Sequence, residues 1–100
     1  MKYGLSLKNI DRITNVFVST KEIEEVVLYG SRAKGNHKPG SDIDLTLKGE
    51  KITTSILNTI CSQLDDLLLP YTFDISIYDH LKNSDILEHI DRVGLRFYKR

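Results

Sequence analysis

Cysteine is nearly absent from this sequence: Cys61 is the only one in 100 residues. One thiol closes no internal disulfide and builds no Cys-rich zinc site. Its place in an apolar helical stretch predicts a buried side chain. Long apolar runs are missing as well. None approaches the length of a membrane span, and residues 1–10 lack the apolar stretch of a signal peptide. No membrane partner is expected, and the default is a soluble cytoplasmic protein. Charge of one sign is not in surplus either, since Lys plus Arg and Asp plus Glu number 14 each. Nucleic acids and anionic membranes favour basic surfaces, so direct nucleic-acid binding is not expected. Repeats, low-complexity tracts and linkers are absent. His37, His80 and His89 are scattered without metal-ligand spacing, which argues against zinc.

What is present is an ordinary globular mix, 40% hydrophobic and 28% charged, sized for one domain over residues 1–100. Ser6 can cap a helix whose apolar positions are Leu7, Ile10, Ile13, Val16 and Phe17. Val26 to Tyr29 reads as a buried strand ending at Gly30, with Tyr29 filling the core at its end. Gly30 to Gly35 suits one tight helical turn, and residues 36–40 form a loop around Pro39 and Gly40. From Ser41 to Leu47 the pattern alternates, with Ile43, Leu45 and Leu47 on one side and Asp42, Asp44 and Thr46 on the other. Residues 52–68 read as a helix that Pro70 ends. Phe73, Ile75 and Ile77 alternate with Asp74, Ser76 and Tyr78 in a third strand. Ser84 can cap a last helix running to about Val93, with Gly94 as its stop and a short extended piece after it. This order of elements predicts an α/β domain with a small sheet.

Asp42 and Asp44 stand two apart on a strand, so both carboxylates project from one face. Adjacent carboxylates repel, and both remain ionised when cations sit between them. Oxygen donors of this kind suit Mg²⁺ or Mn²⁺ completed by water and substrate phosphates. For an Asp-x-Asp pair alone, a solvated edge strand is the better reading, but the surroundings shift the balance. Gly30-Ser31 follows a strand and opens a helical turn, where free N–H groups and the Ser31 hydroxyl make an anion site. Arg32, Lys34 and Lys38 add positive charge nearby. The Gly-Lys-Ser/Thr ending of a Walker A loop is missing. Asp74 completes a carboxylate cluster if its strand pairs beside the Asp42–Asp44 strand. Otherwise it is a charge on an open face.

Leu28-Tyr29-Gly30-Ser31-Arg32-Ala33-Lys34-Gly35, followed by Ser41-Asp42-Ile43-Asp44-Leu45, closely resembles the signature of the minimal nucleotidyltransferases of the DNA polymerase beta superfamily. That signature is Gly-Ser, ten residues, then Asp-x-Asp, and ten residues separate Ser31 from Asp42 here. The strong match covers residues 26–47, and the order of elements extends a weaker one over most of the chain. Lys34 and Asn36 depart from the Arg and Asp of many relatives. The resemblance implies a polymerase-beta-like core, a small mixed sheet flanked by helices. It implies that Asp42 and Asp44 ligate two Mg²⁺ ions, with Mn²⁺ as a substitute. Asp74 would share the catalytic ion and help deprotonate an acceptor hydroxyl. Gly30 and Ser31, with Arg32 and Lys34 beside them, would hold the phosphates of a nucleoside triphosphate, with ATP expected.

Larger relatives carry further domains for the acceptor, so the resemblance also implies a partner. That partner is a small helical HEPN-type protein or a second copy of the chain. In some pairs the nucleotidyltransferase is an antitoxin that adenylylates a HEPN ribonuclease. Two alternatives stay open at this point. One is adenylyl transfer to a small molecule with a separate substrate-binding subunit. The other is a non-catalytic module that binds Mg-nucleotide or occludes a partner.

Overall fold

The computed structural model describes residues 1–100. Ser6 opens helix α1 (Leu7–Val18) by accepting from the Asn9 N–H at 3.1 Å. This satisfies one of the donors that every helix start leaves free. Ile13, Val16 and Phe17 form its buried stripe. Then follow β1 (Glu25–Tyr29), a one-turn helix α2 (Ser31–Lys34), β2 (Ile43–Lys48), α3 (Thr54–Asp65) and β3 (Phe73–Ile77). A 3₁₀ turn at Tyr78–His80 leads into α4 (Ser84–Val93) and β4 (Leu95–Lys99).

The strands form one mixed sheet in the order β3-β2-β1-β4. β1 is antiparallel to both β2 and β4, whereas β2 and β3 are parallel. Parallel neighbours need a long crossover, which α3 supplies. Side-chain alternation sorts the two faces. Val26, Leu28, Ile43, Leu45 and Leu47 join Ile13, Phe17, Ile60 and Leu64 of α1 and α3 in the main core. Val27 and Tyr29 point the other way and meet Ile90 of α4 in a smaller cluster. That second face is only partly covered, and Asp42 and Asp74 at its end are exposed. No helix is long and apolar enough to cross a membrane.

Several local expectations change. α3 is shorter than residues 52–68. Thr53 caps its start, accepting from the Ile56 N–H. At its end the Leu67 and Leu68 N–H groups bond three residues back, to Leu64 and Asp65. Leu68 then takes a φ of +56° and is 89% exposed, so it leaves the buried stripe. No glycine is available at this exit, and the chain turns through a leucine that faces solvent. Pro70 therefore lies beyond the helix rather than ending it. α4 is capped by Asn83, not Ser84, because Asn83 Oδ1 accepts from the N–H groups of Asp85 and Ile86. Cys61 is only half-buried; burial, then the nearby Asp65 charge, pushes its thiol pKa up.

The final extended piece is a full edge strand against β1. Next to it, the Arg100 guanidinium donates to the carbonyls of Phe17, Val18, Thr20 and Ile23, at 2.8–3.4 Å. These include acceptors that the end of α1 leaves free.

Candidate active site

The sheet order decides the geometry of the site. Asp44 is the register partner of Tyr29 across the antiparallel pair and of Asp74 across the parallel pair. One row of the open face therefore reads Tyr29, Asp44, Asp74, with directly opposed Cβ atoms about 5 Å apart. Asp42 lies just before β2 and is exposed. The carboxylates of two separate strands thus stand side by side.

Burial and their mutual repulsion both act on Asp44. This half-buried carboxyl has its pKa raised from 3.8 to about 6. Burial is the largest cause, Asp74 the next and Asp42 the third, while the Arg32 charge pulls the other way. Between 3.8 and about 6 the folded protein holds a proton that the unfolded chain has released. Stability of the metal-free protein is therefore expected to rise as pH falls from 7 through that window. The gain is on the order of 1 kcal/mol after solvent screening. Urea titrations at pH 7 and pH 4.5 would measure it, and a lower midpoint at pH 4.5 would contradict the assignment.

As the side chains stand, no group of three His, Cys, Asp or Glu could hold a metal ion between them. The donor set nonetheless fits Mg²⁺, which is ordinarily held by one or two carboxylates plus substrate phosphates rather than by an all-protein cage. Asp42, Asp44 and Asp74 form no salt bridge, since the only ion pairs are Glu88–Arg92 and Glu25–Arg96. The carboxylate charge at this edge therefore has no paired side-chain cation. A divalent ion would supply that neutralisation.

Gly30 adopts φ +75° and ψ −157°, a region essentially restricted to glycine. A Cβ built there would run into the Asp44 carboxylate. Glycine thus meets two demands at once, the turn from β1 into α2 and the close approach of Asp44. α2 has a single turn, so the N–H groups at its start have no intrahelical partners. Ser31 lies at that start, and Lys34 is exposed at its end.

Arg32 differs from its expected place among the phosphate contacts. It is 3% exposed. Its Nε and Nη2 donate to the Ser41 carbonyl at 3.2 and 2.9 Å, and its Nη1 to the Tyr3 carbonyl at 2.8 Å. The guanidinium also stacks on Tyr71, 5.1 Å from the ring centroid. The planar fork suits two carbonyls and an aromatic face at once. Arg32 consequently ties α2 to the residue preceding Asp42. Arg32→Lys is expected to cost about 2 kcal/mol, because one ammonium cannot replace the buried fork and leaves a partly buried carbonyl short of a donor. Chemical denaturation measures this, and an unchanged midpoint would contradict it.

Two residues were not legible as part of this site. Tyr29 is buried at the strand's end, as core filling requires, and it also lies on the carboxylate face. Its phenol pKa is raised chiefly by burial and further by Asp74 and Asp44, with the Ser76 hydroxyl pulling the other way. Ser76 in turn donates to Thr46 Oγ1 at 2.9 Å. Tyr29 shares its parity with Val27, and that was the available signal. His89 of α4 accepts from the Gly30 N–H through Nε2, at 3.1 Å. Nothing in the sequence links residues 59 apart. Three surface hollows of about 330–350 Å³ lie elsewhere, and none is lined by Asp42, Asp44 or Asp74. The site is an open face rather than a pocket.

The model of the family described as polymerase beta, nucleotidyltransferase matches residues 11–100, and the chain belongs to that family. Its fold is shared by a toxin–antitoxin complex with AMP-PNP, with a TM-score of 0.74 and 15% identity over 92% of this chain and 74% of the other. It is shared also by a complex of tri-AMPylated Shewanella oneidensis HEPN toxin with MNT antitoxin, with a TM-score of 0.67 and 13% identity over 93% and 71%. A putative nucleotidyltransferase from Sulfolobus solfataricus is similar at a TM-score of 0.57 and 19% identity over 92% and 78%. No curated protein sequence matches the chain.

Proposed function

We propose that this chain moves a nucleoside monophosphate, AMP from ATP, to a hydroxyl on a small helical HEPN-type protein, and so acts as an antitoxin. Residues 1–100 work as one domain, in the cytoplasm. The chemistry rests on one observation above all, the register pairing of Asp44 with Asp74 beside the glycine-only turn at Gly30. The open face supports a protein acceptor. No hollow encloses the carboxylates, so a second surface has to exclude water from the reacting groups. The similarity to two toxin–antitoxin structures, one holding AMP-PNP and one an AMPylated HEPN toxin, supports the same partner and nucleotide.

Asp42 and Asp44 would hold two Mg²⁺ ions, or Mn²⁺, with Asp74 sharing one of them. When bound, such ions neutralise charge on the transferring phosphate and on the leaving pyrophosphate. The Ser31 hydroxyl and the free N–H groups at the start of α2 hold the β- and γ-phosphates. Lys34 adds positive charge, and Arg32 holds α2 against Ser41 instead of touching phosphate. Asp74 takes the proton of the acceptor hydroxyl. The acceptor oxygen bonds the α-phosphorus, the α–β phosphoanhydride bond breaks, and pyrophosphate leaves with the electron pair.

The test uses α-labelled ATP, Mg²⁺ and lysate of the source cells, comparing wild type with Asp74→Asn. A labelled protein band that appears only with wild type is the expected result, and its mass identifies the partner. Label in a small molecule would replace the protein acceptor with a small one. Nucleotide binding without transfer to any component would replace the enzyme with a binding module.

A further inference from the structure

The peptide that joins β1 to the phosphate cradle is held from an unexpected side. β1's ladder with β2 ends at Tyr29 opposite Asp44, so the next N–H, that of Gly30, has no strand partner. His89 takes it, with Nε2 as acceptor at 3.1 Å. An imidazole that accepts at Nε2 carries its proton on Nδ1. The ring also packs edge-on against Tyr29, with centroids 6.1 Å apart and planes at 78°. His89 therefore contacts both residues at the point where the strand becomes the cradle.

The rest of α4 keeps His89 in that position. Ile90, the next residue, is buried against Val27 and Tyr29. Asp91 accepts from the Tyr78 hydroxyl at 2.9 Å. At the helix end, a Cβ on Gly94 would collide with Ile90 O and Val27 Cγ1, so the backbone there sits directly on β1. Gly30 is thereby gripped on two sides, by Asp44 against its Cα and by His89 on its N–H. A backbone in a glycine-only conformation persists when its surroundings over-determine it.

We infer that His89 is a positioning residue for nucleotide binding: its Nε2 sets the plane of the Tyr29–Gly30 peptide and so aims the Ser31 end of the cradle at the Asp44 edge. This rests on the nucleotidyltransferase reading of the site, and it concerns a residue outside both sequence motifs. Groups that orient the ligands of a metal site typically contribute about 10- to 100-fold, and the lower end of that range is expected for His89 acting on a backbone N–H.

Two variants separate this role from packing. His89→Phe keeps an aromatic ring on Tyr29 and loses the acceptor; His89→Gln keeps an acceptor and loses the ring. With Mg-ATP, His89→Phe is expected to raise KM about 10-fold with kcat little changed, and His89→Gln to recover much of that loss. In the nucleotide-free protein, the Gly30 amide ¹H resonance should move upfield in His89→Phe and exchange faster with solvent, while the melting temperature stays close to wild type. A wild-type KM in His89→Phe, or equal losses in both variants, would overturn the inference. If wild type transfers nothing, the enzyme reading fails on its own. Mg-AMP-PNP titrated against the Gly30 and Ser31 amides then decides the role of His89: about 10-fold weaker binding in His89→Phe sustains it, and equal binding overturns it.

Discussion

Replacing Asp44 with Asn is expected to lower nucleotidyl transfer by about 10³-fold, at no loss of stability in the metal-free protein. Two effects of one carboxylate oppose each other here. In the proposed reaction Asp44 would be the central member of the cluster, between Asp74 in the register and Asp42 two residues before it. An amide keeps the shape and removes the charge that would hold a divalent ion. In the nucleotide-free fold that same charge is unfavourable. Burial and the two neighbouring carboxylates hold the Asp44 pKa at about 6, so ionisation at pH 7 opposes folding and Asn removes the opposition. Mg²⁺ should raise the melting temperature of wild type and leave that of Asp44→Asn unmoved, because a ligand stabilises only the state that binds it. Thermal melts with and without Mg²⁺, beside a transfer assay, measure both effects. Retained transfer would remove Asp44 from the catalytic group. A large drop in melting temperature would assign it a structural task instead.

Gly30→Ala is expected to be damaging in both respects, costing about 3 kcal/mol of stability and about 100-fold in transfer. Alanine there must adopt φ +75° and ψ −157°, and its Cβ must occupy the space of the Asp44 carboxylate. Either the turn opens or Asp44 moves, and both displace the cradle from the carboxylates. Gly35→Ala is the control. That residue also has a positive φ, +82°, yet its Cβ would meet nothing within 4 Å. Only the left-handed backbone penalty applies, about 1–2 kcal/mol, and transfer should change little. Shortening the clashing side chain in Gly30→Ala/Asp44→Ala should give a smaller stability loss than the sum of the single changes, as expected for residues in contact. Strict additivity would mean that the clash does not determine the cost.

The motif residues were legible because their spacing is local. Asp42 and Asp44 are two apart on a strand, and Gly30-Ser31 is where β1 stops, so the chain's own periodicity places each group. Helix α1 with its Ser6 cap, the alternation in β2 and the alternation in β3 follow from the same short-range rules. Helix ends were less legible. The apolar stripe of α3 runs on past Asp65 although the helix does not, and Asn83 outcompeted Ser84 for the cap through a geometry that composition does not reveal. Arg32 reads in the sequence as a charge beside the Gly30-Ser31 turn. Its inward turn onto the Ser41 and Tyr3 carbonyls depends on where residues 3 and 41 end up in space.

By itself the sequence carried the motif by which the family is recognised; it also determined the strand and helix periods and the parity that puts Asp42 and Asp44 on one face, which are consequences of backbone geometry within a few residues. Only the tertiary structure decided that β3 lies parallel beside β2, which puts Asp74 next to Asp44, and that α4 folds back to set His89 on Gly30. Those contacts join residues 30 and 59 positions apart. They are set by which apolar faces can be buried together, and no local pattern encodes that choice.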